Sequence, residues 1–225
     1  MEKEIKTLGG ILENPVPPFA VLLGGAKISD KIGMLENIRD KVDSLLIGGG
    51  MAATFLKAKS YEVGLSLVEE DMLGFVSKLM GDMVERGTHL VLPVDVVVTE
   101  SLSTESEFKV VSVANIPPNL RIVDIGPLTI DSFSQELKKC KTVFWNGPMG
   151  IYELSQFAMG TQAMARVLAS LKATTVVGGG STAEAVAEMK LADSMTFVST
   201  GGGASLRFLG SQTLPGVEVL MDKGV

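Results

Sequence analysis

The sequence predicts an α/β fold: a doubly wound, mainly parallel sheet with helices on both faces, a three-layer Rossmann-like arrangement carrying a small antiparallel insertion. Short apolar runs recur along the chain, each ends in glycine, and each is followed by apolar residues at helical spacing. Such an order is that of βα units. The chain has 225 residues, 46% of them hydrophobic, enough to bury a large core in one domain.

The first unit is the run Phe19–Leu23, its turn Gly24-Gly25-Ala26-Lys27, and a helix on Ile32, Leu35, Ile38 and Val42. The second is Ser44–Ile47, then Gly48-Gly49-Gly50, then a helix from Met51 to Lys59. A longer amphipathic helix is expected from about Glu69 to Glu85, with Met72, Phe75, Val76, Leu79, Met80 and Met83 on one face and Gly87 closing it. The methionines read as core filler. A third strand is expected over His89–Pro93. Asp95–Thr99 and Phe108–Val111, rich in β-branched residues, form the antiparallel insertion.

After Ile122-Val123-Asp124-Ile125-Gly126-Pro127, a helix on Ile130, Phe133 and Leu137 leads to the strand Thr142–Trp145 and the turn Asn146–Gly150. Thr174–Val177, Gly178–Gly180 and a helix from Ser181 to Lys190 make the next unit. Thr196–Ser199, Gly201–Gly203 and a helix from Ala204 make the last. The proline-rich segment Asn14–Pro18 reads as a linker edge, so residues 1–18 are expected to be the tail of an element of a neighbouring region and its linker, with the domain itself over 19–225.

Composition removes several classes. One cysteine, Cys140, excludes an internal disulfide, and with a single histidine, His89, it leaves no Cys/His zinc cluster and argues against a Ser-His-Asp triad. No run reaches the length of a membrane helix and the start, EKEIK, is not a signal peptide, so a cytoplasmic location is expected. A formal charge of −6 argues against a nucleic-acid surface.

Three triple-glycine turns, together with Gly24-Gly25, need a physical reason, because glycine costs backbone entropy. One such turn is more often simple packing. Several at the carboxyl edge of a parallel sheet place helix N-termini, with unpaired N–H groups, where phosphate oxygens can dock. There is no G-x-x-x-x-G-K-[ST] and no G-x-G-x-x-G after the first strand, nor an acidic residue closing the second, which disfavours Walker-type and NAD-linked sites. Lys27 and Lys31, four apart, would project from one face toward the phosphates if a helical turn has begun between them. Asn146 could hold a phosphate or ribose, and Glu153 could accept from ribose hydroxyls.

LGGAKISDKI (Leu23–Ile32), LIGGGMAATFLK (Leu46–Lys57), VLPVDVVV (Val91–Val98), DIGP (Asp124–Pro127), WNGPMGIYE (Trp145–Glu153), VGGGSTA (Val177–Ala183) and STGGGASL (Ser199–Leu206) follow one another in order. Together they resemble the C-terminal, nucleotide-binding domain of phosphoglycerate kinase. Met1–Ile5 resembles the start of that family's interdomain helix, and Leu214-Pro215-Gly216-Val217 its C-terminal end. The resemblance implies phosphoryl transfer from 1,3-bisphosphoglycerate to ADP, with Mg2+ carried on ADP/ATP. It assigns Lys27 to the transferring phosphoryl group and Lys31 to the nucleotide phosphates. Amides around Gly179, Gly180 and Gly202 would hold phosphoryl oxygens, with Gly25, Ala26 and Thr182 in the same cradle. The adenine would lie near Gly49, Leu65, Ile122, Val123 and Ile151, with Asn146 and Pro148 beside the phosphates and Glu153 on the ribose.

Two departures stand out. Most members carry an acidic residue where this chain has Ser181, so no protein group is assigned to the metal directly. Locally, Ser181-Thr182-Ala183-Glu184 fits a capping box, with Ser181 as the helix cap. The family's N-terminal domain, which carries the 3-phosphoglycerate site and a catalytic arginine, lies outside the resemblance, so the chain is expected to bind nucleotide with little turnover. It reads as a monomer whose partners are ADP/ATP and that domain, with neither nucleic acid nor membrane. A stand-alone adenine-nucleotide module is the alternative, and a flavin or dinucleotide enzyme a more distant one.

Overall fold

In the computed structural model, residues 14–199 are described throughout, with 7, 9–11, 201, 202 and 210 beside them. The motifs expected over Met1–Ile5, from Ala204 onward and at Leu214–Val217 lie outside the described residues.

The apolar runs form strands because each is buried on both faces. β1 (Phe19–Leu23), β2 (Ser44–Ile47), β7 (Thr142–Asn146) and β8 (Thr174–Gly178) hold the middle of a six-stranded parallel sheet. β3 (His89–Val91) and β9 (Phe197–Val198) close its two sides, in the order β3-β2-β1-β7-β8-β9. Successive side chains enter opposite layers. Val21, Leu23, Leu45, Ile47, Phe144 and Val176 join one core, which also takes in α1 (Ile32–Ile38), α2 (Ala52–Ala58) and α3 (Leu73–Arg86). Ala20, Leu22, Leu46, Val143, Trp145 and Val177 join the other, under α4 (Pro127–Leu137), α5 (Met159–Ser170) and α6 (Gly180–Glu188). The doubly wound, three-layer architecture is as the sequence predicts.

The antiparallel insertion is real and one strand larger than expected. β4 (Asp95–Thr99) pairs with both β5 (Phe108–Ser112) and β6 (Arg121–Ile125), so the Ile122–Ile125 run belongs to this second sheet. α5 is a further addition: no helix is expected there from the strand-and-glycine pattern, yet Thr161, Met164, Ala165 and Leu168 are buried at helical spacing. The long third helix is as expected, a short 3-10 turn at Glu70–Met72 running into α3, and Gly87 ends it with left-handed backbone (φ 75°).

Two buried aspartates fasten helices to the second sheet. Asp95 of β4 accepts the amides of Leu128 and Thr129 at 3.1 and 2.7 Å, at the start of α4. Asp124 of β6 accepts the Gly160 amide at 2.7 Å, at the start of α5, and the Ile125 amide at 2.9 Å. Burial pushes the Asp124 carboxyl up to about 7, against the pull of those two amides.

Candidate active site

Strand order reverses between β1 and β7: β2 and β3 lie to one side of β1, β8 and β9 to the other. Ligands of open α/β sheets bind in the crevice outside the carboxyl ends at such a point. Here the turns after β1, β2 and β7 meet directly. The Gly24 amide donates to the Asn146 carbonyl at 2.9 Å, the Gly25 amide to Pro148 at 2.8 Å and the Gly49 amide to Met149 at 3.0 Å. A Cβ on Gly24 would collide with the carbonyl oxygens of Pro148 and Gly147. These glycines let three backbones touch, and their amides are used within the protein.

The turn after β8 is built differently. Gly179 has φ 91°, α6 starts at Gly180, and a Cβ on Gly180 would meet nothing within 4 Å. The amides of Gly180, Ser181 and Thr182 have no acceptor among the described residues. They are the orphan donors of a helix N-terminus, facing open space. The expected capping box does not form. No side chain caps α6, Ser181 sits inside its first turn, and Glu184 instead accepts from the Tyr152 hydroxyl at 2.9 Å. Thr182 turns inward, buried, and its Oγ1 accepts the Gly147 amide at 2.8 Å. Helix start and β7 turn are thereby joined.

Asn146 lies between them. Its Nδ2 is buried with no hydrogen-bond partner among the described residues, 2.9 Å from where a Cβ on Gly179 would sit. A buried N–H2 left unpaired is costly and calls for an acceptor. On the other side, Lys31 is only 7% exposed, with Nζ 3.5 Å from where a Cβ on Gly25 would sit. Burial lowers its pKa, partly offset by Asp30 and Glu69. Lys27 is exposed, in the loop before any helix. The two lysines do not share a helical face: Ser29–Lys31 is a 3-10 turn and α1 starts at Ile32, so the four-residue spacing spans irregular backbone.

A cleft of about 830 Å³ runs out from this end. Gly25, Ala26, Gly49, Pro148 and Ser181 line it near the turns; Leu65, Ile122, Val123, Ile151 and Glu153 line it farther along. Lys27, Lys31, Asn146, Gly179, Gly180 and Thr182 are not in its lining and stand around the β1, β7 and β8 turns. Gly202, with φ 51°, follows β9. Backbone ties shape the slot: the Ile122 amide donates to Ser66 Oγ at 2.9 Å and the Ile151 amide to the Val123 carbonyl at 2.9 Å.

Sequence reasoning missed Arg121, which also lines the cleft and has a buried Nε without a partner among the described residues. A basic residue at the head of the strand run Arg121–Ile125 was the available signal. Ammonium, amide and hydroxyl groups dominate the inner end, a donor set suited to phosphate oxygens. Among the described residues no three His, Cys, Asp or Glu are grouped to hold a metal ion. Of the side-chain oxygens at the α6 start, Thr182 Oγ1 is turned inward and the Ser181 hydroxyl is exposed.

His89 is far from this chemistry, at the opposite edge of the sheet. Its Nδ1 pairs with Glu136 Oε1 at 3.1 Å. Ser44 donates to the same carboxylate at 2.5 Å, so serine and histidine both bind the acid and the serine lacks a base.

The phosphoglycerate kinase family model matches residues 1–212. This chain belongs to the phosphoglycerate kinase family. It is 52% identical over 225 residues to the phosphoglycerate kinase of Chloroflexus aurantiacus and 51% identical to that of Macrococcus caseolyticus, in each case covering 99% of this chain and 56% of the relative. The solved phosphoglycerate kinase of Coxiella burnetii superposes with a TM-score of 0.93 at 40% identity, covering 97% of this chain and 57% of that one. That of Pyrococcus horikoshii gives 0.82 at 30% identity, covering 98% and 56%. The chain thus spans about half the length of the phosphoglycerate kinases it matches.

Proposed function

We propose that this chain is the nucleotide-binding half of a phosphoglycerate kinase, holding Mg-ADP or Mg-ATP for phosphoryl transfer between 1,3-bisphosphoglycerate and ADP in glycolysis. The observation that carries the reading is the unfilled donor set at the switch point: the open N-terminus of α6, the orphaned amide of Asn146 and the buried ammonium of Lys31.

Each group has a role in that reading. The open amides of the α6 start, from Gly180 to Thr182, donate to phosphate oxygens, and Asn146 Nδ2 donates to one of them. Lys31 neutralises the nucleotide phosphates from beneath. Lys27, exposed and free to reach outward, meets the transferring phosphoryl group. Leu65, Ile122, Val123 and Ile151 enclose the base, and Glu153 accepts from the ribose. Magnesium bound to the phosphates would add further charge neutralisation. Little covalent work remains for the protein, so placement and electrostatics supply the rate.

The acyl-phosphate substrate binds, in this reading, on the half of the family enzyme that the chain does not match. Isothermal titration should show ADP binding, while a coupled assay should show negligible turnover by the 225 residues alone and recovery when the N-terminal half of a relative is added. Turnover comparable to a complete relative refutes the division of labour, and absence of ADP binding refutes the site. Because the chain spans half of its relatives, a stand-alone nucleotide module is the second reading. It is favoured if ADP binds and no added half restores activity.

A further inference from the structure

The loop between β1 and α1 carries both lysines; Gly24 and Gly25 tie its start to the β7 turn, and the stretch at Ile28 and Ser29 is held from elsewhere. Its anchor comes from 41 residues along the chain, where the Glu69 carboxylate accepts the Ile28 amide through Oε2 at 2.5 Å. The other oxygen, Oε1, accepts the Ser29 hydroxyl at 2.5 Å. Glu69 is itself held, because its amide donates to Oγ1 of Thr54, a buried residue of α2, at 3.1 Å. Its neighbours Val68 and Glu70 line the cleft and Glu69 does not, so its side chain is turned to the loop and away from any ligand there. Asp30 and Glu69 are the two carboxylates that act on Lys31.

We propose that Glu69 is a positioning residue for phosphoryl transfer: by gripping Ile28 and Ser29 it sets where Lys27 and Lys31 present their ammonium groups, and it balances the buried charge of Lys31. The proposal rests on the nucleotide reading of the site. Both oxygens of the carboxylate are in use, so an amide in its place could accept at one of them only. Loss of the negative charge also leaves Asp30 as the sole counter to burial of Lys31. The lysine then sheds its proton at lower pH.

The test is calorimetric titration with MgADP, across pH, of the wild-type chain, Glu69→Gln and Ser29→Ala, with thermal unfolding and hydrogen exchange at the Ile28 amide measured alongside. Glu69→Gln should weaken binding roughly tenfold near neutrality, the size of one lost charge-assisted hydrogen bond. It should expose the Ile28 amide to exchange and move the alkaline limb of binding to lower pH. Ser29→Ala keeps the Ile28 bond and the charge, and should leave that limb in place with affinity within about twofold. A merely structural glutamate would alter unfolding without moving the limb. If Glu69→Gln does not melt cooperatively, Glu69→Asp decides, since it keeps the charge but is too short for both partners: weaker binding with an unmoved limb supports the role, wild-type binding overturns it. Wild-type affinity and limb in Glu69→Gln overturn the role while the nucleotide reading stands. A wild-type chain that binds no MgADP removes both.

Discussion

Gly24 and Gly180 are the same residue used for opposite reasons. At Gly24 a side chain would run into the backbone of the β7 turn; at Gly180 it would enter empty space above an open helix start. Gly24→Ala should therefore destabilise the fold by about 3 kcal/mol or more, through forced separation of the turns. Gly180→Ala should leave stability within about 0.5 kcal/mol, yet weaken ADP binding by roughly tenfold because the methyl group occupies phosphate space. Chemical denaturation and titration of the two variants check this, and unaltered ADP affinity in Gly180→Ala would count against the phosphate position. Ser181 has no capping duty, and in the proposed function it stands beside the metal-bound phosphates. ADP binding by the wild-type chain should depend weakly on magnesium and that of Ser181→Asp strongly; equal affinities with and without magnesium in both would refute the link.

At the scale of elements, the strands and five of the six helices among the described residues could be read from local pattern, because burial on both faces or on one stripe leaves a period in the sequence. The missed helix and one mistaken capping motif differ in kind. α5 carries a helical pattern of small residues, Thr161 and Ala165 among them, which gives a weak apolar signal. α6 is present where expected, but its local capping motif loses to tertiary contacts, Thr182 to Gly147 and Tyr152 to Glu184. Asp124 shows the same precedence, fixing the start of α5 from a strand of the other sheet. Its carboxyl has a folded value of about 7 against an ordinary 3.8, so its contribution to stability is full below about pH 4 and is lost as pH rises through about 7. Asp124→Asn keeps one acceptor oxygen and removes the titration. Urea unfolding from pH 4 to 8 should show a decline in the wild type that flattens in the variant; parallel curves would contradict the assignment.

For the whole molecule, the doubly wound order follows from repeated βα units, and the switch point follows from that order. The site was legible where its parts are contiguous, as in Asn146–Pro148 or Gly179–Thr182. It was not legible where distant segments cooperate. Nothing near Ile28 in the sequence signals Glu69, and nothing near Ile122 signals Ser66, since hydrogen bonds across 41 and 56 residues leave no local period. Likewise, the glycine turns looked alike in sequence, and only the packed backbone separates the turns after β1 and β2, which join other turns, from the α6 start at Gly180, which faces outward.

The two aspartates that fasten α4 and α5 have a consequence for selectivity. Helices that run back from the carboxyl edge each bring a positively polarised end toward it, and every such end is a rival docking point for an anion. Asp95 and Asp124 plug two of them with carboxyl oxygens that accept first-turn amides, and the Gly49 and Gly50 carbonyls occupy first-turn amides of α2. α6 keeps its end open. Among the starts of α2, α4, α5 and α6, only the last therefore offers a phosphate free amides, and removing the plug at Asp95 would create a decoy.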